Sequence, residues 1–227
     1  SKGQTSIQNV SDVLLKTIEL KYNLQKEKIE ADMAALKAES LNDETIMIVE
    51  GQTVEMDVYD ISSKKKQKIT LPKIVFGLDF ATASFATVDK IGKSSTFDIA
   101  IYQIHDNKLI KVSSSIKNKD ESRPIGEYYT SGNNVYKALV NDKPFSLLTN
   151  NGINVAMQVF HPIKETLEGK IIGAYSISSQ ILTNDLVELI KKVNVGGFGY
   201  SFVNSSQGNI LIHPDKKYLA LNVKDFK

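Results

Sequence analysis

The chain has 227 residues, 41% of them hydrophobic, which is enough to bury the core of one large domain or two small ones. Its 28 lysines and arginines are nearly balanced by 26 aspartates and glutamates, which argues against a nucleic-acid-binding protein. Cysteine is absent, and this excludes a disulfide framework, a thiolate metal site and a cysteine nucleophile. No apolar run is long enough to predict a membrane span. No leader is visible at Ser1, and we expect a soluble segment of a longer protein.

Residues 1–44 predict one long N-terminal helix. Apolar residues recur at helical spacing from residue 4 to residue 40, and no proline or glycine interrupts them. A helix of that length would reach roughly 55 Å at about 1.5 Å per residue, which is longer than a small domain is wide. We expect it to dock on its own domain, to form a homodimer with a second copy of the chain, or to do both along different parts of its length.

Residues 45–180 predict one domain of the α+β class, with short helices at 85–93 and 133–141. Segments with strand-like composition or alternation lie at residues 45–49, 53–59, 68–71, 96–105, 109–115, 144–149, 153–160 and 170–178. The short connections favour an antiparallel sheet. We expect the long helix to cover one face of that sheet, and loops and a short helix to cover the other and enclose a ligand.

Residues 181–227 predict a linker helix followed by the start of a second module. The helix is expected at 182–192, and a hairpin at 196–203 and 209–214 turns at Gly208. We expect this second, membrane-proximal module to be incomplete in the chain.

The motifs of common catalytic sites do not occur in the sequence. There is no glycine-rich phosphate loop, no serine-histidine-aspartate signature and no zinc-protease motif. His105, His161 and His213 are about fifty residues apart and do not predict a shared metal site. We therefore expect a binding protein rather than an enzyme, with no cofactor, no metal and no nucleic-acid partner.

Several motifs, in order along the chain, resemble the type-three Cache modules of bacterial receptors. Leu71-Pro72 with residues 85–91 is similar to that family's LP…F-x-x-VD-x-I stretch, and residues 122–126 are similar to its R-x-x-G loop. The closing strands of the family are matched by residues 160–163 and 169–173, and the start of a type-two Cache module by residues 199–214. His161 departs from the family pattern at the position before Pro162-Ile163.

This resemblance implies a PAS-like antiparallel sheet behind a long N-terminal helix, a Cache fold. It also implies a periplasmic sensor domain in a receptor anchored in the cell inner membrane, with a cytoplasmic output that is usually chemotactic. The expected ligand is a small polar molecule, either an organic acid or an amino acid or amine. A sensor kinase remains an alternative, and a surface adhesion module is the alternative of a different class.

Arg123 is the first candidate ligand-binding residue. Its guanidinium suits a carboxylate, although it could instead pin its own loop by bonding backbone carbonyls. Tyr128 and Tyr129 follow in the same region and are expected either to line the mouth of the site or to pack in the core.

The remaining candidates are strand residues placed where polar or aromatic groups interrupt apolar runs. Alternation puts Gln103 and Tyr102 on opposite faces, and it puts Gln158 and Phe160 on one face opposite His161. Simple solvent exposure is the alternative for the two glutamines. The candidates from the strands are Tyr102, Gln103, Ser113, Gln158, Phe160 and His161.

Overall fold

The computed structural model describes two compact units of the chain. The first unit comprises residues 1–28, 147–158 and 179–227, and the second comprises residues 29–146 and 159–178. The residues described are 2–41, 45–93, 95, 97–150, 155–181, 184–192, 202–204, 208, 210–215, 218 and 223–225.

The N-terminal helix, α1, runs over Lys2–Leu41 and confirms the long helix predicted from the sequence. In the second unit Ile29, Met33 and Leu36 are at most 1% exposed. Their spacing of four and three residues places them on one side of the helix, which packs into the core. Asp32 accepts a hydrogen bond from the hydroxyl of Ser95 at 2.7 Å, so a polar contact accompanies the apolar one.

A nine-stranded sheet forms the main body of the fold, which is α+β as predicted, and its strands lie in the order β3-β2-β1-β6-β5-β4-β9-β8-β7. Two short helices, α2 at Ala86–Gly92 and α3 at Asn134–Val140, interrupt the run of strands. The strands are β1 Ile46–Asp60, β2 Lys66–Phe76, β3 Asp79–Phe80, β4 Asp98–His105, β5 Lys108–Ser114, β6 Glu127–Thr130, β7 Phe145–Asn150, β8 Val155–Lys164 and β9 Ile171–Gln180.

Among the strand pairs whose register is described, β1–β6 departs from the expected antiparallel arrangement. β1 and β6 run parallel, with Tyr59 opposite Glu127 and Asp60 opposite Tyr128. The pairs β1–β2, β2–β3, β4–β5, β4–β9 and β5–β6 are antiparallel. Short connections require antiparallel pairing only between strands that follow each other in the chain. β1 and β6 are far apart in sequence, so that argument does not apply to them.

β1 and β2 are longer than the sequence predicted. The two segments predicted at 45–49 and 53–59 form the single strand β1, with a register irregularity between Val49 and Thr53. β2 continues through Pro72, which the sequence analysis had placed after the end of the strand. Pro72 lies opposite Thr53 beside the irregularity, where a residue without an N–H group is tolerated.

Turns and short helices have the local conformations that their residues favour. Asp106 and Asn107 both have positive φ, 44° and 57°, as a tight two-residue hairpin turn requires. Asn133 caps α3 by accepting a hydrogen bond from the backbone N–H of Val135 at 2.9 Å. Val88 is buried in α2. The sequence Asn150-Asn151-Gly152 predicts a tight turn, which lies mainly outside the described residues.

The first unit contains the helix and hairpin predicted after residue 180. Helix α4 is found at Asn184–Lys192, and β10 at Val203–Asn204 pairs antiparallel with β11 at Ile210–Ile212. A short 3-10 helix follows at Val223–Asp225. Within the described part of the chain, no helix combines the length and hydropathy needed to cross a membrane.

Candidate ligand-binding site

The register of β4 with its neighbours defines one polar face of the sheet, which we call the tyrosine face. Asp98, Ala100 and Tyr102 alternate on this face of β4. A register shift between Ile101 and Tyr102 brings Lys111 of β5 opposite Tyr102. On the other side of β4, strand β9 places Ser178 opposite Asp98, Ser176 opposite Ala100 and Ala174 opposite Tyr102.

Three aromatic rings form a cluster on the tyrosine face. The ring centroids of Tyr102 and Phe160 are 5.3 Å apart, those of Tyr129 and Phe160 are 5.8 Å apart, and those of Tyr102 and Tyr129 are 6.1 Å apart. All three residues are at most 5% exposed. Burial, with a smaller effect of Glu127, raises the pKa of Tyr129, so its phenol stays protonated. The structure thus brings together three residues that the sequence singled out.

Glu127 is held on the tyrosine face by three donors. The hydroxyl of Tyr102 donates to its Oε1 at 3.0 Å, and the ammonium of Lys111 forms an ion pair with the same oxygen. The hydroxyl of Tyr59 lies 3.5 Å from Oε2. Lys111 also lies 5.7 Å from the centroid of the Tyr102 ring. Because both carboxylate oxygens already have partners, Glu127 is mainly an orienting group for Lys111 and Tyr102.

Asp98 is the second carboxylate of this face, and among the described residues no hydrogen bond or ion pair occupies it. Asp98 opens β4 and reaches solvent. The atoms packed around its carboxylate still exclude enough water to raise its pKa, against the opposing positive charge of Lys111. The three charged groups therefore leave an excess of one negative charge, located at Asp98.

Small side chains lie beside Asp98 on the tyrosine face. Ala100 lies between Ser114 of β5 and Ser176 of β9, while Ser178 lies opposite Asp98. Alanine and serine fill little of the space above a sheet, and serine hydroxyls can both donate and accept hydrogen bonds. Asp98, Lys111 and Glu127 were not among the candidates predicted from the sequence. The alternation of Asp98, Ala100 and Tyr102 was the available signal.

Gln103 and Ser113 lie on the face opposite Tyr102. Gln103 is fully buried, so the alternative of solvent exposure is wrong for it. It accepts a hydrogen bond from the hydroxyl of Thr82 at 2.8 Å and donates one to the carbonyl of Pro72 at 2.6 Å. Ser113 donates to the carbonyl of Ser84. These hydrogen bonds attach Pro72 on β2, and Thr82 and Ser84 after β3, to strands β4 and β5.

Arg123 is bound within the protein. Its two terminal nitrogens donate to both carboxylate oxygens of Asp89 at 2.8 and 2.7 Å. The first nitrogen also donates to the backbone carbonyls of Ser114 and Ser115 at 2.9 and 3.0 Å. The side chain is only 8% exposed. This geometry corresponds to the alternative in which Arg123 pins its own loop.

Tyr128 and His161 face away from the aromatic cluster. Tyr128 pairs with Ile110 and so faces opposite to Tyr129, and its hydroxyl is 3.5 Å from the amide nitrogen of Gln67. His161 follows Phe160 on β8, and its Nε2 is 3.5 Å from Oε2 of Glu30 on α1.

Gln158 belongs to the first unit and is partly exposed. In the described part of the chain, no group of three or more histidine, cysteine, aspartate or glutamate side chains could hold a metal ion.

Comparison with known proteins identifies the family. The model of the Cache 3/Cache 2 fusion domain matches residues 1–227. The methyl-accepting chemotaxis protein McpA of Pseudomonas putida is 31% identical over 64 residues, which is 28% of this chain and 10% of McpA. The methyl-accepting chemotaxis protein PscA of Pseudomonas syringae pv. tomato is 22% identical over 132 residues, which is 58% of this chain and 20% of PscA. The chain thus spans a fifth or less of these relatives.

Two solved structures are similar at low sequence identity. The ligand-binding domain of the Pseudomonas aeruginosa PAO1 amino acid chemoreceptor PctC, in complex with GABA, has a TM-score of 0.39 and 16% identity, with 62% of each chain covered. The periplasmic domain of RsbU from Chlamydia trachomatis has a TM-score of 0.47 and 16% identity, covering 98% of this chain and 71% of that one.

Proposed function

Because the chain belongs to the Cache 3/Cache 2 fusion domain family, we propose that it is the extracytoplasmic ligand-sensing domain of a chemotaxis receptor anchored in the cell inner membrane. The matched relatives are methyl-accepting chemotaxis proteins, which supports this proposal. The domain acts by binding a small molecule and passing its occupancy on to the rest of the receptor, without catalysis.

The ligand is a small polar molecule that carries an amino group, either an amino acid or an amine. The single observation behind this choice is Asp98, a carboxylate whose pKa is raised by burial and which has no ion-pair partner among the described residues. A ligand ammonium would supply that partner. In an amino acid, the carboxylate would reach Lys111, and the ring of Tyr102 would lie against the cationic end. An organic acid without an amino group would add a negative charge beside Asp98, and it fits this face less well.

Signalling follows if the ligand binds one arrangement of the sheet and α1 more tightly than the other. In the second unit α1 is coupled to the core through Ile29, Met33 and Leu36, all buried. A change in the packing of the sheet can therefore move the helix.

The domain forms a homodimer through the first part of α1. Val13, Leu20 and Leu24 are 64%, 70% and 53% exposed. Spacings of seven and four residues place them on one stripe of the helix. A second copy of the same helix would bury this stripe.

The ligand proposal is tested by a thermal-shift screen of the purified domain with amino acids, amines and short organic acids. We expect compounds with an amino group to raise the melting temperature, because a ligand that binds the folded state stabilises it by mass action. Asp98→Asn should abolish that rise. Asp57→Asn, a change of the same kind at an exposed position of β1, is the matched control and should leave the rise unchanged.

Two results would contradict the proposal. If organic acids stabilise the domain equally in wild type and Asp98→Asn, the amino-group assignment is wrong while sensing stands. If no compound of the panel binds and an experimental structure shows the tyrosine face tightly filled, ligand sensing on this face is wrong.

A further inference from the structure

A pocket lies beside the C-terminal part of α1, entirely within the second unit. Its volume is about 270 Å³, and it is lined by Lys37, Ile46, Asp142, Pro162, Ile163, Lys164 and Tyr175. We propose that this pocket, which we call the lysine pocket, binds a small organic anion: a carboxylate attached to an apolar body. This site is independent of the amino-group site proposed for the tyrosine face.

The charges of the lysine pocket favour an anion. Lys164 forms an ion pair with Asp142, and both side chains are about half exposed, at 51% and 50%. Such an exposed pair contributes only about 0–1 kcal/mol, so Lys164 can turn toward another anion at small cost. No carboxylate of the described residues forms an ion pair with Lys37. Two ammonium groups thus share one carboxylate, and the pocket has one positive charge in excess.

The walls of the lysine pocket favour an apolar body. Ile46, Ile163 and Tyr175 are 5%, 1% and 4% exposed, and Pro162 completes the apolar lining. The volume of about 270 Å³ is just below the range of about 300–1,000 Å³ that is typical of sites for drug-sized ligands. The pocket therefore suits a compact ring or a short branched chain with one carboxylate.

The sheet separates the lysine pocket from the tyrosine face. In the pairing of β4 with β9, Tyr175 lies opposite Ile101, and Ala174 lies opposite Tyr102. Successive residues of a strand point to opposite faces, so Tyr175 and Tyr102 face opposite sides. One anion bound by Lys37 and Lys164 would connect α1 directly to β8. Occupancy of this pocket would therefore stiffen the contact between the helix and the sheet.

The proposal is tested with benzoate as the probe, by isothermal titration and by NMR titration of the backbone amides. Benzamide has the same shape without the charge and serves as the ligand control. We expect benzoate to bind and to shift amides around residues 37, 46 and 164, while benzamide does not. Lys37→Gln and Lys164→Gln should each weaken benzoate at least about tenfold, the loss expected for a hydrogen bond between charged groups. Lys119→Gln, at an exposed loop position, should have no effect.

Other outcomes would overturn the assignment. It is wrong if benzoate does not bind, if benzamide binds as well as benzoate, or if Lys37→Gln and Lys164→Gln both bind benzoate like wild type. Lys37→Arg keeps the charge and should keep the binding, which separates loss of charge from damage to the helix. Benzoate binding should also persist in Asp98→Asn, so failure of one site can be distinguished from failure of the other.

Discussion

Arg123 reaches from the loop before β6 to α2 and to the end of β5. Its planar guanidinium fits the carboxylate of Asp89 through two parallel bonds and lies 4.9 Å from the centroid of the Phe85 ring. The same group also donates hydrogen bonds to the backbone carbonyls of Ser114 and Ser115. One side chain thus links the loop, the helix and the strand end.

We predict that Arg123→Lys lowers the free energy of unfolding by about 2–3 kcal/mol, because a lysine cannot make the two-pronged bond to Asp89 and leaves carbonyls unpaired. Urea denaturation measures this loss. The rise in melting temperature caused by an amino-group ligand should stay as large as in wild type. A variant that keeps its stability but loses the ligand response would instead place Arg123 in the binding site.

Three of the aromatic candidates lie together in the structure, whereas the charged groups beside them were not among the residues predicted from the sequence. Tyr102, Tyr129 and Phe160 interrupt apolar strands visibly, and all three are in the cluster. Lys111 reaches Tyr102 only because of a register shift in the pairing of β4 with β5, and alternation within one strand does not reveal such a shift. Asp98 resembles an ordinary polar residue at the start of a strand until its neighbours in β5 and β9 are known.

The contact between α1 and β8 includes a histidine. Nε2 of His161 is 3.5 Å from Glu30, too long for a strong hydrogen bond, and neither buried ring nitrogen has a hydrogen-bond partner among the described residues. Burial lowers the pKa of His161, and Lys37 lowers it further, while Glu30 acts in the opposite direction. The neutral imidazole is therefore the form that fits between the helix and the strand.

We predict that protonation of His161 weakens this contact. Because its pKa is lower in the folded state than the ordinary 6.5, the unfolded chain takes up the proton first as the pH falls. Stability should therefore decrease as the pH falls below about 6.5, down to the folded-state pKa. His161→Gln should reduce this decrease, measured by thermal melts between pH 8 and pH 5. His105→Gln is the matched control, and an unchanged pH profile in His161→Gln would contradict the prediction.

Short elements were the ones that the sequence did not predict. β3 and β6 have two and four residues, too few for an alternating pattern to be recognised. Their places are set by partners distant in sequence. Gly126 and Gly173, which belong to the family-like motifs, are likewise explained by contacts with residues distant in sequence. A Cβ at Gly173 would lie 2.1 Å from the carbonyl oxygen of Tyr102, and one at Gly126 would lie 2.4 Å from that of Asp57. Both allow backbones to approach closely.

At the scale of the whole molecule, we predict that the domain dimerises through α1. Leu20→Glu combined with Leu24→Glu should weaken self-association at least about tenfold, because charges would replace apolar area that the dimer buries. Sedimentation equilibrium over a range of concentrations measures this change. Leu15→Glu is the matched control, because Leu15 is 61% exposed but lies about 200° around the helix from Val13. A wild-type domain that stays monomeric at all concentrations would contradict the prediction.

Ala174 and Tyr175 are neighbours on β9, yet one belongs to the tyrosine face and the other lines the lysine pocket. Strand β9 therefore contributes to both proposed sites, with Tyr175 on one side and Ala174 on the other. A ligand bound on either side of the sheet would therefore act on the same strand. If both proposed sites are occupied in the cell, the response of the receptor would depend on two ligands together. The response to an amine would then change with the concentration of organic acids outside the cell.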